Sequence, residues 1–79
     1  MEIDEAVKEL EALKGSILIQ LARKAELIFE KYSPIQSHRL DGRKRVLNLE
    51  LKNGEKVTIK FRKVRNKNEL VVAQYTIRI

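Results

Sequence analysis

Apolar residues recur at steps of three and four over the first 32 residues, which is the spacing of one face of an α-helix. Asp4 and Glu5 near the start suit the positive end of a helix dipole. Ser33-Pro34 ends the pattern, because a residue before proline is pushed out of helical conformation. The pattern predicts a helical segment over about residues 2–32. Its apolar positions are 3, 6, 7, 10, 13, 17, 18, 21, 22, 25, 28, 29 and 32.

Gly15-Ser16 lies in the middle of this segment, where glycine can end one helix and serine can cap the next. The helical spacing of the apolar residues continues without a shift through Gly15-Ser16, which favours one helix. A single helix over residues 2–32 would be about 46 Å long, whereas strands of nine residues span roughly 30 Å. Such a helix would extend beyond the end of the sheet by several turns. We therefore predict a break or kink at Gly15. One kinked helix and two separate helices both remain open.

From residue 35 onwards the apolar period changes to two, which is typical of strands with one buried face. Turn signals at Asp41-Gly42, at Asn53-Gly54 and over residues 66–68 divide this half. They predict strands near 43–51, 56–65 and 69–79, with a short first strand near 35–40. The fold class predicted for residues 1–79 is a single α+β domain. In it, the helical segment packs on one face of a three- to four-stranded antiparallel β-meander.

Loop length sets the register of this meander, because a slip of one residue moves every side chain to the other face. A three-residue loop at 52–54 keeps the apolar faces in step and gives Gly54 the left-handed conformation that such a loop needs. A three-residue loop at 66–68 is expected to do the same. The expected cross-strand pairs on this face are Leu49–Val57, Leu47–Ile59, Val57–Ile77, Ile59–Tyr75 and Phe61–Ala73, with Leu51–Glu55 next to the loop. On the opposite face this register places Lys44, Lys56, Lys60, Arg62, Arg78 and one acid, Glu50.

Charge divides the 79-residue chain into unlike halves, although the formal net charge is +6. Residues 1–40 hold seven acids and six bases, a net of −1, and residues 41–79 hold four acids and eleven bases, a net of +7. This asymmetry favours polyanionic partners on the side of the sheet. There is no cysteine, so packing or oligomerisation must supply the stability, and a natural protein of this kind is expected in the cytoplasm. No apolar run reaches the roughly 18 residues of a membrane span, so we expect no membrane contact.

Eight of the 17 basic residues are predicted to gather at one end of the sheet, where only Asp41 and Glu69 are nearby acids. Such a cluster is the electrostatic footprint of nucleic-acid or polyanion binding, and an acidic protein surface would fit it too. The alternative is a solvated basic rim that protects sheet edges from aggregation. The candidate binding residues are Arg39, Arg43, Lys44, Arg45, Arg62, Lys63, Arg65 and Lys67.

Aromatic residues limit what such a site can recognise. The four aromatics are Phe29, Tyr32, Phe61 and Tyr75. The register turns Phe61 and Tyr75 towards the core, and Phe29 lies on the helical stripe. No exposed platform for stacking bases is therefore expected, and binding would be to phosphates without sequence preference.

The sequence offers few groups for catalysis. His38 is the only histidine, and its neighbour Ser37 points to the opposite face of a strand. No carboxylate pair suggests an acid–base couple, and the three glycines form no phosphate-binding loop. We predict no catalytic residue, no cofactor and no metal site.

Two apolar residues, Ile19 and Leu27, lie off the helical stripe. Single exposed apolar residues are ordinary on protein surfaces. Alternatively, these two contact the first helical turns or a second copy of the chain, which would make the protein a homo-oligomer.

The segment 70–74, Leu-Val-Val-Ala-Gln, resembles part of the first inhibitory loop of cystatins, which share the outline of a helix followed by a meander. It lacks the leading Gln and closing Gly of that loop motif, so no inhibitor function is inferred. Three functions remain. They are a non-enzymatic structural or interaction module, a polyanion binder and a self-associating module. Regular binary patterning makes the first compatible with an engineered or designed scaffold, although the segment SPIQSHRL is less regular than a designed connection.

Overall fold

Two helices and five strands make up the chain in a computed structural model that describes residues 1–79. The strands form one antiparallel sheet in the order β1-β5-β4-β3-β2. The predicted α+β meander is confirmed, but the sheet has five strands rather than three or four. The elements are α1 Ile3–Glu11, β1 Lys14–Gly15, α2 Leu18–Tyr32, β2 Ile35–Asp41, β3 Val46–Leu51, β4 Lys56–Lys63 and β5 Leu70–Arg78.

The predicted break near Gly15 is confirmed, because α1 and α2 are separate helices. The capping roles predicted for Gly15 and Ser16 are wrong. Ala12 is the C-cap of α1, and Ile17 is the N-cap of α2 without a side-chain hydrogen bond. Gly15 instead pairs with Leu70 as part of β1, so the connection is held by strand pairing and needs no left-handed glycine.

Both helices lie on one face of the sheet and enclose a single hydrophobic core. Alternate residues of β3 and β4 point into it, and α2 contributes the largest helical share. We call the other, solvent-facing side of the sheet the open face. Neither helix combines the length and the apolar character that a membrane crossing requires. The buried apolar residues are Ala6, Leu10, Leu21, Ala22, Ala25, Ile28, Phe29, Leu47, Leu49, Leu51, Val57, Ile59, Phe61 and Leu70.

The β3–β4 hairpin has the predicted register, with Leu49 opposite Val57. Its loop is the expected three residues, because the backbone N–H of Leu51 donates to the carbonyl of Glu55 at 2.9 Å. Gly54 has φ +94°, a conformation that residues with a Cβ rarely adopt. Glycine at this position therefore selects the loop length and, through it, the buried face of β4.

The β4–β5 hairpin differs from the prediction. The Val64 N–H donates to the Glu69 carbonyl at 2.7 Å, so the loop holds four residues rather than three. This even loop shifts the register by one, and a bulge in β5 at Ala73 restores it further along the strand. Phe61 consequently pairs with Val72, and the predicted Phe61–Ala73 pair is wrong.

The bulge also changes which residues of β5 face the helices. Leu70 and Val72 pack against the core, whereas Val71 and Ala73 were expected there. Beyond the bulge the predicted pairs hold, with Tyr75 opposite Ile59 and Ile77 opposite Val57. The segment 70–74 that resembles a cystatin loop lies within β5 and not at a hairpin tip.

The β2–β3 turn is longer than predicted, because strand pairing begins at Val46 rather than at Arg43. One carboxylate oxygen of Asp41 accepts hydrogen bonds from the backbone N–H groups of Arg43 (3.0 Å) and Lys44 (3.1 Å). The turn closes through Arg45, whose φ is +55°. Lys44 is therefore in a turn, and it has no place in the strand row predicted for it beside Arg62.

The end of α2 is fastened to the β3–β4 loop by hydrogen bonds. The Tyr32 hydroxyl donates to the Glu55 carboxylate, which also accepts from the Asn53 side chain at 2.6 Å. The backbone N–H of Lys52 donates to the Pro34 carbonyl at 2.8 Å. The hydrogen bond to Glu55, together with partial burial, raises the pKa of Tyr32 above its ordinary value.

We expect Tyr32→Phe to lower the free energy of unfolding at neutral pH by about 1 kcal/mol. This value is small for a hydrogen bond to a charged group because solvent screens the partly exposed pair. A raised pKa means that the folded state keeps the proton after the unfolded chain has lost it. The contribution of this hydrogen bond to the free energy of unfolding is therefore complete below the ordinary tyrosine pKa. It is lost as the pH rises through the raised pKa of Tyr32 in the folded state.

Urea unfolding of both proteins from neutral to alkaline pH measures this effect. The stability difference between wild type and Tyr32→Phe should shrink above roughly pH 10, the ordinary tyrosine value. Tyr75→Phe is the matched control, because the Tyr75 hydroxyl forms no hydrogen bond within the chain. A difference for Tyr32→Phe that is constant across the whole pH range would contradict the bond to Glu55.

Candidate functional site

Three segments rich in basic residues meet at one end of the sheet. The β2–β3 turn and the β4–β5 loop lie at this end because both hairpins reverse there, and β1 joins it by pairing with the start of β5. We call this cluster the basic end. It consists of Lys14, Arg43, Lys44, Arg45, Arg62, Lys63, Arg65 and Lys67.

Seven of these eight residues are among the bases predicted from the sequence to bind polyanions. Lys14 was missed because β1 is a two-residue strand, too short to show any periodicity. It pairs with Val71, which in turn lies opposite Arg62, so Lys14 and Arg62 share one row of the open face.

Arg39 was predicted with the cluster but lies elsewhere. It pairs with Asn48 in the middle of β2 and continues a row with Thr58 and Thr76. Its side chain lines a groove in the open face together with Lys56 and Arg78.

All eight residues of the basic end are exposed, and none forms an ion pair. The one ion pair of a lysine is on the helical side, between Lys31 and Glu9, and a contact between His38 and Glu26 lies on the same side. Of the two acids at the basic end, Asp41 uses its carboxylate to bind the backbone of the β2–β3 turn. No cation of the cluster is therefore held in a direct ion pair within the protein.

Arg45 occupies a backbone conformation that does not suit it. Its φ of +55° lies in the left-handed region, which costs roughly 1–2 kcal/mol for a residue with a Cβ. Its carbonyl accepts a hydrogen bond from Phe61 N–H at 2.9 Å, which ties the turn to β4. Glycine or asparagine would fit this position with less strain, so the arginine side chain is not explained by the turn.

The β4–β5 loop forms a second part of the basic end. Lys63, Arg65 and Lys67 border a shallow cleft of about 540 Å³, which Asn66 and Asn68 complete. Asn66 has φ +67°, a left-handed conformation that asparagine tolerates. The loop thus presents three alternating cations and two amide side chains to solvent.

Two acidic residues, Glu2 and Glu55, lie near Tyr32 at the end of α2. Glu2 lies near enough to Tyr32 to contribute to its raised pKa, and Glu55 binds the Tyr32 hydroxyl. Both therefore lie by the β3–β4 loop, at the end of the sheet opposite the basic end.

Ile19 and Leu27 are exposed at 55% and 64% on the outer side of α2. Leu27 borders a groove between α1 and α2 that Ala12 and Leu13 also line. Arg23 stands between the two apolar residues on this side of the helix. Their predicted role in self-association stays a prediction.

His38 and Ser37 point to opposite sides of the sheet, as predicted. The His38 Nδ1 atom is 2.9 Å from the Glu26 carboxylate on the helical side, whereas Ser37 lines the open-face groove. No three His, Asp or Glu side chains are grouped as metal ligands.

Comparisons with known proteins find no family model, no curated protein and no solved structure that matches this chain.

Proposed function

We propose that this chain is a non-enzymatic interaction module that binds nucleic acid by its phosphates at the basic end. The observation that carries the proposal is a group of eight exposed lysines and arginines without ion pairs at one end of the sheet. Cations in this arrangement release the counterions condensed on nucleic acid when they bind its phosphates, and this release drives the association.

The two kinds of base have different tasks. Arginine presents a planar fork of donors that matches two phosphate oxygens, and lysine supplies a compact and mobile positive charge. Arg43, Arg45 and Arg65 project from turns, where they can approach a backbone from the end of the sheet. Lys63 and Lys67 flank Arg65 in the loop cleft and add charge around it.

The strain at Arg45 supports a role for its side chain. A left-handed residue with a Cβ costs free energy that a glycine would avoid. Such outliers concentrate at sites where the side chain has a function.

Recognition at this end is expected to ignore base sequence. Phe29 and Phe61 are buried, at 0% and 1% exposure. Tyr75 lies opposite Ile59 and packs against the core, and Tyr32 is bonded to Glu55 at the far end. No aromatic side chain is therefore free at the basic end to stack on a base. The alternatives are an acidic protein surface as partner, and a structural or designed scaffold without a ligand.

Fluorescence anisotropy of labelled mixed-sequence oligonucleotides at several salt concentrations tests the proposal. We expect binding that weakens steeply with salt, with a slope of about −3.6 to −4.5 in log affinity against log salt on duplex DNA, which is about −0.9 for each of four to five phosphates. Scrambling the sequence should change the affinity by less than about threefold. Absence of binding at low salt would refute the proposal, and equal affinity for polyglutamate would indicate an acidic protein partner instead.

A further inference from the structure

The open face carries positive charge well beyond the basic end. Along β4, the residues that point to this face are Lys56, Thr58, Lys60 and Arg62, so three of four are cations. At 3.3 Å per residue, Arg62 and Lys60 are about 7 Å apart and Lys60 and Lys56 about 13 Å apart. The strand therefore extends the basic end by roughly 20 Å across the open face.

This line ends in a groove of about 510 Å³ in the open face. Three cations line this groove, namely Arg39, Lys56 and Arg78. Arg78 on β5 lies directly opposite Lys56 on β4, and Arg39 lies on β2. Glu50 is its one acid, and it forms no ion pair with them.

The groove also offers neutral hydrogen-bonding groups. The Thr58 hydroxyl donates to the Asn48 side-chain oxygen at 3.0 Å, which leaves the Asn48 amide N–H groups as free donors. Ser37 adds a hydroxyl on the neighbouring strand. Two arginines with planar guanidinium groups provide surfaces on which bases can stack in the absence of aromatics.

The shape of this surface discriminates between kinds of nucleic acid. Duplex DNA is straight over distances far below its persistence length of about 150 base pairs. A duplex that lies across the turns at the end of the sheet therefore cannot also bend over to a groove roughly 20 Å away on the open face. A single strand bends freely and can follow both surfaces.

Building on the proposed function, we propose that the ligand is single-stranded nucleic acid whose backbone runs from the basic end along β4 into the open-face groove. In this arrangement the basic end binds the first phosphates. The groove residues Arg39, Lys56 and Arg78 bind the later ones.

Oligothymidylates of 4 and 12 nucleotides and a 12-base-pair duplex test the path by anisotropy. The groove variant combines Arg39→Gln, Lys56→Gln and Arg78→Gln, which are exposed positions. The matched control combines Lys8→Gln, Arg23→Gln and Lys24→Gln, which remove the same charge from exposed helix positions outside any ion pair.

For the wild type we expect the 12-mer to bind at least about 100-fold more tightly than the 4-mer, an advantage well beyond the roughly 9-fold that the overlapping registers of a longer strand supply by statistics alone. The groove variant should remove the excess over that statistical factor and reduce the salt slope by about 2, which is roughly 0.7 for each of three lost contacts to a single strand. Its affinity for the 4-mer should stay within about threefold of wild type. The control should bind all three ligands like the wild type.

Each other result has a distinct meaning. If the groove variant binds the 12-mer with wild-type affinity and salt slope, the path along β4 is refuted while the proposed function stands. A wild type that prefers the duplex refutes the single-stranded ligand alone. A wild type that binds none of the three ligands at low salt refutes both proposals.

Discussion

Leu21→Ala will lower the free energy of unfolding by about 2–5 kcal/mol, whereas Leu27→Ala will change it by no more than about 0.5 kcal/mol. Both residues are leucines on α2, but Leu21 is 1% exposed and Leu27 is 64% exposed. The same chemical change therefore removes core packing at one position and only surface at the other. Equilibrium unfolding in urea measures both values.

Leu21 is expected to matter because of where it packs. Its terminal Cδ1 methyl lies 3.7 Å from the point where a Cβ on Gly15 would stand, so it supports β1 as well as the core. A domain of this size has roughly 5 kcal/mol of total stability to lose. Leu21→Ala should consequently leave a substantial unfolded fraction at room temperature.

Leu27→Ala serves as the control and also tests self-association. Equal losses at Leu21 and Leu27 would contradict the orientation of α2 on the sheet. A loss at Leu27 that grows with protein concentration would mean that a second copy covers this residue. A monomer mass by light scattering at high concentration would instead exclude that role for Ile19 and Leu27.

Reversing two charges at the basic end should have the largest effect on binding. For Arg43→Glu combined with Lys63→Glu, we expect the affinity for nucleic acid to fall about 1,000-fold at low salt. Each reversal replaces an attraction of about 1 kcal/mol at 4 Å in water by an equal repulsion, so two reversals cost about 4 kcal/mol. The anisotropy titration measures the affinity, and loss of retention on heparin provides an independent readout.

The matched control is Arg23→Glu combined with Lys24→Glu on the outer side of α2, where both residues are exposed. It changes the net charge by the same amount but leaves the basic end intact. We expect it to weaken binding by less than about 10-fold, through the overall field alone. Comparable losses in both variants, with unchanged circular dichroism, would mean that net charge and not the basic end governs binding.

The β3–β4 hairpin could be predicted in register because two signals agree there. Gly54 requires a loop with a left-handed residue, and the alternating leucines of β3 require the same pairing. In the β4–β5 loop no two signals agree on the length of the loop. Asn66 and Asn68 both tolerate left-handed conformation, and only Asn66 adopts it. The sequence therefore does not distinguish a three-residue loop from a four-residue loop with a compensating bulge.

The candidate site was predictable to the extent that it depends on hairpins. Successive turns of a meander lie at alternate ends of the sheet. The turn after β2 and the loop after β4 therefore lie at the same end, which brings Arg43 and Lys63 together. Arg39 was misplaced because an extended strand carries a residue away from the turn by about 3.3 Å per position. Lys14 was missed because its pairing with Val71 joins distant parts of the chain through a strand of two residues.

The bulge at Ala73 bears on edge-to-edge association between copies of this sheet. β1 pairs only with Leu70 and Val71 of β5. The other seven of the nine β5 residues therefore have one unpaired edge. The exposed stretch is rich in Val, Tyr, Thr and Ile and has one charge, at Arg78, which is a composition prone to fibril growth. By breaking the regular spacing of free N–H and C=O groups, the bulge denies an incoming strand a continuous template. One unpaired alanine thus interrupts the part of the β5 edge that β1 leaves open.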